Sequence, residues 1–209
     1  MVTIADIDRA ITELIPIAHP SRPFLCEGSP LGCRAAIVGI NPGTKTELKS
    51  HWKLPHGCNR NGWIKEFESD PLNSRKTTRP CIEKLMAELA PIRCLELNLY
   101  PYYSPTEDDL EDRLKDARFF EFILDAVKPR VMYVFGKSAI EHLRSFFRLK
   151  DLPRGEFIRH RTEALTVDIY ADSHFSWYAK QKGGPANAKS HAQKIGHLLK
   201  EHLLANCGS

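Results

Sequence analysis

Four short apolar runs constrain this chain more than any other feature. They are 34–40 (RAAIVGI), 94–100 (CLELNLY), 130–136 (RVMYVFG) and 164–174 (ALTVDIYADSH). Strands half-exposed to water alternate apolar with polar side chains, whereas strands covered on both faces read as near-continuous apolar runs. Between the runs lie segments of helical period, and alternation of such strands with helices belongs to parallel α/β sheets. The expectation is an α/β three-layer sandwich: a doubly wound, mainly parallel four-stranded sheet with helices on both faces. One domain is expected to span residues 1–209.

The helical segments follow the same logic. Ile4, Ile7, Ile11, Leu14 and Ile15 share one face of a helix predicted over 4–15. RPCIEKLMAEL (79–89) carries Pro80 in its first turn, where a missing N–H costs nothing. Ser104 and Glu107 stand in capping-box register, which predicts a long helix from there to about 128, with Leu110, Leu114, Ala117, Glu121, Leu124 and Val127 along one line. KSAIEHLRSFF (137–147) and about 186–204 complete the set. Residues 19–24 are expected to be loop. The stretch 44–74, with Trp52, Trp63 and Phe67, is too long for a simple connection and is expected to be functional or an insertion.

Composition narrows the function classes. Hydrophobic residues make up 42% and charged residues 27%, as in an ordinary globular domain, and no apolar run approaches the roughly 20 residues that cross a membrane. The first fifteen residues mix acids with apolar residues, unlike a signal peptide. A cytoplasmic monomer is expected, nucleoid-associated if bacterial. Cysteines fall at 26, 33, 58, 81, 94 and 207, with no C-x-x-C pair, which argues for reduced thiols and against a metal or iron–sulfur site. No metal and no cofactor are expected. A net charge of +4 permits a phosphate-rich partner without demanding one.

In parallel sheets ligands bind beyond the carboxyl ends of the strands. The first strand ends in Gly39-Ile40-Asn41-Pro42-Gly43, the second near Asn98, the last at His174. Two amides and an imidazole would meet in one crevice. No acidic pair, Ser–His–Asp set or phosphate-binding loop is evident.

GINPG resembles the first motif of the mismatch-specific branch of the uracil-DNA glycosylase superfamily and is close to that of its single-strand-selective branch. Asn98 corresponds to the uracil-reading Asn of several branches, and His174 to the second catalytic motif. The order fits, and the resemblance covers roughly 34–200. It departs in the second motif, where His174-Phe175-Ser176-Trp177 has no proline after the histidine and no DNA-wedging leucine. Trp177 or Tyr178 could serve as the wedge.

The resemblance implies a metal-free DNA glycosylase that flips a damaged base into a pocket and hydrolyses its glycosidic bond. Asn41 and His174 would be catalytic, the first orienting water, the second donating to the leaving base. Asp172 is a candidate to orient His174. Gly39 and Gly43 would let the backbone approach the substrate, with Ile40 and Pro42 shaping the same loop. Asn98 would read uracil through one donor and one acceptor. Trp52, Trp63 or Phe67 would stack on the base. Ser176, Trp177, Tyr178, Lys180, Lys182 and Lys189 would contact DNA, the lysines flanking a glycine pair before a helix N-terminus. Two rival readings stay open: a glycosylase for another base such as hypoxanthine or xanthine, and a non-catalytic protein binding nucleic acid or nucleotides on the same fold.

Overall fold

A computed structural model describes residues 2–16, 18–75, 78–163, 165–181 and 184–206. In chain order the elements are α1 (Ile4–Leu14), β1 (Phe24–Leu25), β2 (Ala35–Gly39), β3 (Trp52–Lys53), β4 (Gly57–Cys58), α2 (Arg60–Ser69), α3 (Thr78–Leu89), β5 (Cys94–Asn98), α4 (Arg118–Val127), β6 (Val131–Phe135), α5 (Lys137–Phe146), β7 (Phe157–Arg161), β8 (Thr166–Asp172), α6 (Phe175–Gln181) and α7 (Pro185–Ala205). They form an α/β fold around a mixed, mostly parallel sheet of six strands, ordered β1-β5-β2-β6-β8-β7.

The four apolar runs supply the parallel strands β5, β2, β6 and β8. The expected count of four falls short by the two antiparallel edges. β1 contributes only Phe24 and Leu25 against Leu97 and Glu96, too short to show a pattern. β7 is FIRHR, a half-exposed edge strand rich in cations, so it has no apolar run to reveal it. Charged edges of this kind resist pairing with other chains.

Alternate residues of the central strands enter two separate cores. Ala36, Val38, Leu95, Leu97, Met132 and Val134 pack with apolar residues of α1, α4 and α5. Ala35, Ile37, Val131, Tyr133 and Phe135 pack with α3 and α7. Helices therefore cover both faces, which is why these strands carry no polar alternation. At Gly196 of α7 a β-carbon would stand 2.5 Å from the Leu85 carbonyl oxygen of α3, so the absent side chain lets the two helices touch.

The long helix expected from Ser104 is not formed. α4 starts only at Arg118, after an Ala117 N-cap that makes no side-chain cap; the Asp116 carboxylate just before it accepts from the Arg118 N–H at 3.0 Å. The acids explain the difference: Glu107 with Glu111, and Asp108 with Asp112, would be like-charge pairs one turn apart in a helix. Leu110 and Leu114 instead bury with Tyr102 in a small satellite core, and Ser104 turns toward the end of β2.

Candidate active site

Strand register sets the floor of the site. Gly39 pairs with Asn98, Val38 with Val134, and Phe135 with Asp172, so the last residues of β5, β2, β6 and β8 form a row across the sheet. The chain leaves β2 toward β5 on one side and leaves β6 toward β8 on the other, so a crevice opens between the ends of β2 and β6. A cavity of about 460 Å³ lies there. Gly39, Ile40, Asn41, Gly43, Trp63, Phe67, Asn98, His174 and Ser176 all border it. Arg22, Thr44, Thr78, Arg79, Ile82, Pro105, Thr106, Glu107 and Phe135 complete the wall. At Gly39 a β-carbon would meet the Phe135 ring at 3.2 Å, whereas at Gly43 it would meet nothing within 4 Å.

The loop after β2 is tied to the loop after β5. Leu99 and Tyr100 N–H donate to the Gly39 and Ile40 carbonyls at 3.0 and 2.8 Å, and Ser104 N–H to the Pro42 carbonyl at 3.2 Å. Asn41 Nδ2 donates to the Ser104 carbonyl and to its Oγ, both at 3.1 Å, and to the Pro42 carbonyl at 3.3 Å. Its Oδ1 has no partner among the described residues, so the amide presents an acceptor to the cavity. Asn98, buried, donates from Nδ2 to the Arg22 carbonyl at 2.7 Å. One N–H and Oδ1 are left over: one donor, one acceptor.

His174 Nδ1 accepts from the Ser176 N–H at 3.2 Å and lies 2.7 Å from Ser176 Oγ. An Nδ1 that accepts fixes the ring proton on Nε2. Burial holds the imidazole pKa below its ordinary value, which favours this neutral form. The ring also packs on Phe135, centroids 5.2 Å apart. His174 is thus a neutral ring with an Nε2–H and no partner for it among the described residues.

Below the aromatic wall lies a buried charge cluster. Arg79 pairs bidentately with Glu96 at 2.7 and 2.6 Å, and Glu96 is 3.4 Å from Arg60 and 3.6 Å from Arg22. Burial alone would raise the Glu96 pKa, yet Arg79 and then Arg22 and Arg60 bring it down to about 2. The guanidinium carbons of Arg22 and Arg79 lie 4.6 and 4.9 Å from the Trp63 ring centroid, and Phe67 stacks on that ring at 5.3 Å. The sequence offered Trp63 and Phe67; it offered neither arginine, whose only signal was a cation beside a proline in each case.

Several expected residues lie elsewhere. Trp52 is directed away from the cavity: its Nε1 donates to Asp8 of α1 at 2.7 Å and its ring packs edge-on against Phe24. Pro42 is buried behind the loop and does not border the cavity. Asp172 does not touch His174; it accepts from Tyr178 Oη at 2.8 Å and His191 Nε2 at 2.7 Å, tying α6 to α7. Tyr178 is thereby committed to packing, stacked on His191 at 3.7 Å. Trp177 stands 42% exposed at the start of α6, as a wedge requires. Lys180 and Lys189 are exposed, and Lys182 lies outside the described residues.

Neither a family model nor a curated protein sequence matches this chain. Among the described residues no three of His, Cys, Asp and Glu are grouped to hold a metal ion, and no helix is long and apolar enough to cross a membrane.

Proposed function

We propose that this chain is a DNA glycosylase that excises uracil, or a related deaminated base, and leaves an abasic site. This follows the resemblance to uracil-DNA glycosylases, with the sheet taken as the doubly wound, three-layer form of that superfamily. The observation that carries it is the convergence of Asn41, Asn98 and His174 on one cavity, each with its free hydrogen-bonding capacity of the required kind. Asn41 offers Oδ1, an acceptor that can hold one O–H of a water while Ser104 fixes the amide. Asn98 offers one donor and one acceptor, the complement of uracil O4 and N3–H; cytosine presents the reverse pattern and would leave both unpaired. His174 offers Nε2–H to an oxygen on which charge grows as the base departs.

An amide is no base, so the reaction would proceed by early cleavage of the glycosidic bond, with water captured afterwards by a cationic sugar. Phe67 and Phe135 supply the apolar surface against a flipped ring, with the fully buried Trp63 stacked behind Phe67. Trp177 would fill the space left in the base stack, and Lys180 and Lys189 would meet phosphates. Arg22 and Arg79 add positive charge to the wall, which suits the carbonyl groups of hypoxanthine and xanthine and keeps those bases as the second reading.

The test is alkali-induced strand cleavage of oligonucleotides carrying uracil, hypoxanthine or xanthine, as single strands and duplexes. Cleavage at one of these bases supports the assignment. Tight binding with no abasic site in any of them refutes it in favour of a binding protein.

A further inference from the structure

A second hollow, of about 350 Å³, lies at the other end of the sheet, where the parallel strands begin. Arg130, Arg159, Arg161, Thr166, Asp168 and His202 border it. β8 runs the seven residues from Thr166 to Asp172, so about 20 Å of strand separates this hollow from the His174 end.

Strand geometry gathers the arginines. Arg159 and Arg161 are two apart on β7 and so share one face of the sheet, where they pair with Asp168 and Thr166 of β8. Arg130 stands just before β6, and its carbonyl accepts from the Asp168 N–H at 2.9 Å. The three guanidiniums come from two strands that flank the start of β8.

Their partners differ. Arg159 donates from Nε and Nη2 to the two Asp168 oxygens at 2.7 and 2.8 Å, and His202 Nε2 lies 2.8 Å from one of them. Arg159 first, then His202, hold the Asp168 carboxyl below the ordinary carboxylate range. Asp168 is thus committed to fixing Arg159. Arg130 and Arg161 are exposed, and neither side chain has a hydrogen bond or an ion pair among the described residues. Exposed arginines elsewhere do have an acid beside them: Arg9 has Asp6, Arg113 has Glu111 and Arg118 has Asp116. At this hollow the guanidiniums outnumber the one carboxylate by two.

A guanidinium fork matches two oxygens of a phosphate, and Thr166 adds a hydroxyl donor. A nucleic-acid backbone lies along a line of cations, whereas these converge on one small concavity. We propose that the hollow is an anion site that binds the terminal phosphate or pyrophosphate group of a small ligand. It is separate from the cavity at the strand ends and does not depend on base release.

The test titrates inorganic pyrophosphate calorimetrically into the full chain at near-physiological salt. Saturable binding with a Kd below about 1 mM is expected. Arg130→Gln with Arg161→Gln should weaken it by about tenfold or more, since each lost contact is a charge-assisted hydrogen bond. Lys65→Gln with Lys150→Gln removes two exposed cations elsewhere and should bind as the wild type does. Circular dichroism checks that each variant folds. Because a variant could fail to fold, the wild-type protein is also labelled with ¹⁵N-arginine. The Nε–H signals of Arg130 and Arg161 should move with pyrophosphate, and that of buried Arg79 should stay. A single-stranded oligonucleotide without uracil tests the other source of phosphate and should leave pyrophosphate bound. No saturable binding, unmoved Arg130 and Arg161 signals, wild-type affinity in the folded arginine variant, or an equal loss in the lysine variant would each overturn the proposal. Displacement of pyrophosphate from these arginines by the oligonucleotide would overturn it in favour of a nucleic-acid contact.

Discussion

Glu96→Gln removes the anion on which the arginine cluster under the cavity is built. Glu96 is 4% exposed, bound bidentately by Arg79, with Arg60 and Arg22 within 3.6 Å. Its pKa falls from an ordinary 4.5 to about 2 in the fold. The unfolded chain therefore takes up the proton first as pH drops. The stabilisation is full well above 4.5 and is lost as pH falls through about 2. The difference corresponds to about 3 kcal/mol at neutral pH. In a chain of 209 residues, each kcal/mol moves the melting temperature by roughly 2–4 °C. Thermal unfolding followed by circular dichroism at pH 7 should then place Glu96→Gln about 6–12 °C below wild type. At pH 3 the gap should shrink by about half or more, because the wild-type protein has lost most of the advantage by then. A gap under about 2 °C at pH 7, or one that is the same at both pH values, would refute the idea that this ion cluster supports the site.

Other predictions follow from single contacts. Base release should be flat with pH across neutrality and fall in acid as His174 protonates below its ordinary 6.5, since the cation loses the Nδ1 acceptor that the Ser176 N–H requires; a rate that climbs as pH drops through 6 would contradict the neutral donor. Trp52→Phe breaks the hydrogen bond to Asp8 and should cost about 1 kcal/mol of stability in denaturant unfolding while leaving base release unchanged; a large loss of rate in a folded variant would return Trp52 to the site. Trp177→Ala should slow release from duplex DNA more than from single strands, where no stack needs filling; equal losses on both substrates would exclude the wedge.

The parts of this molecule legible in its sequence are those governed by burial on both faces. β2, β5, β6 and β8 announced themselves as apolar runs because helices cover them on either side, and their ends led to Asn41, Asn98 and His174. The sheet edges were silent for the opposite reason: β1 is two residues long and β7 faces solvent. The capping-box register at Ser104 misled, because a local pattern was outweighed by acids repelling at one-turn spacing and by the pull of Asn41 on Ser104. Trp52 was one of the stacking candidates, but the β3–β4 hairpin turns it toward α1. Arg22 and Arg79 were invisible, since a buried arginine is recognised only by the carboxylate it meets in space, here Glu96 on another element.

The proposal that Asn41 and His174 act on a base held in this cavity is best tested by single-turnover release of uracil from a single-stranded oligonucleotide. The wild-type protein is compared with Asn41→Ala and His174→Ala. Release by the wild type is expected, with a loss of about 10²–10³-fold in each variant and DNA binding largely retained. Near-wild-type rates in both variants, or no release by the wild-type protein, would contradict it.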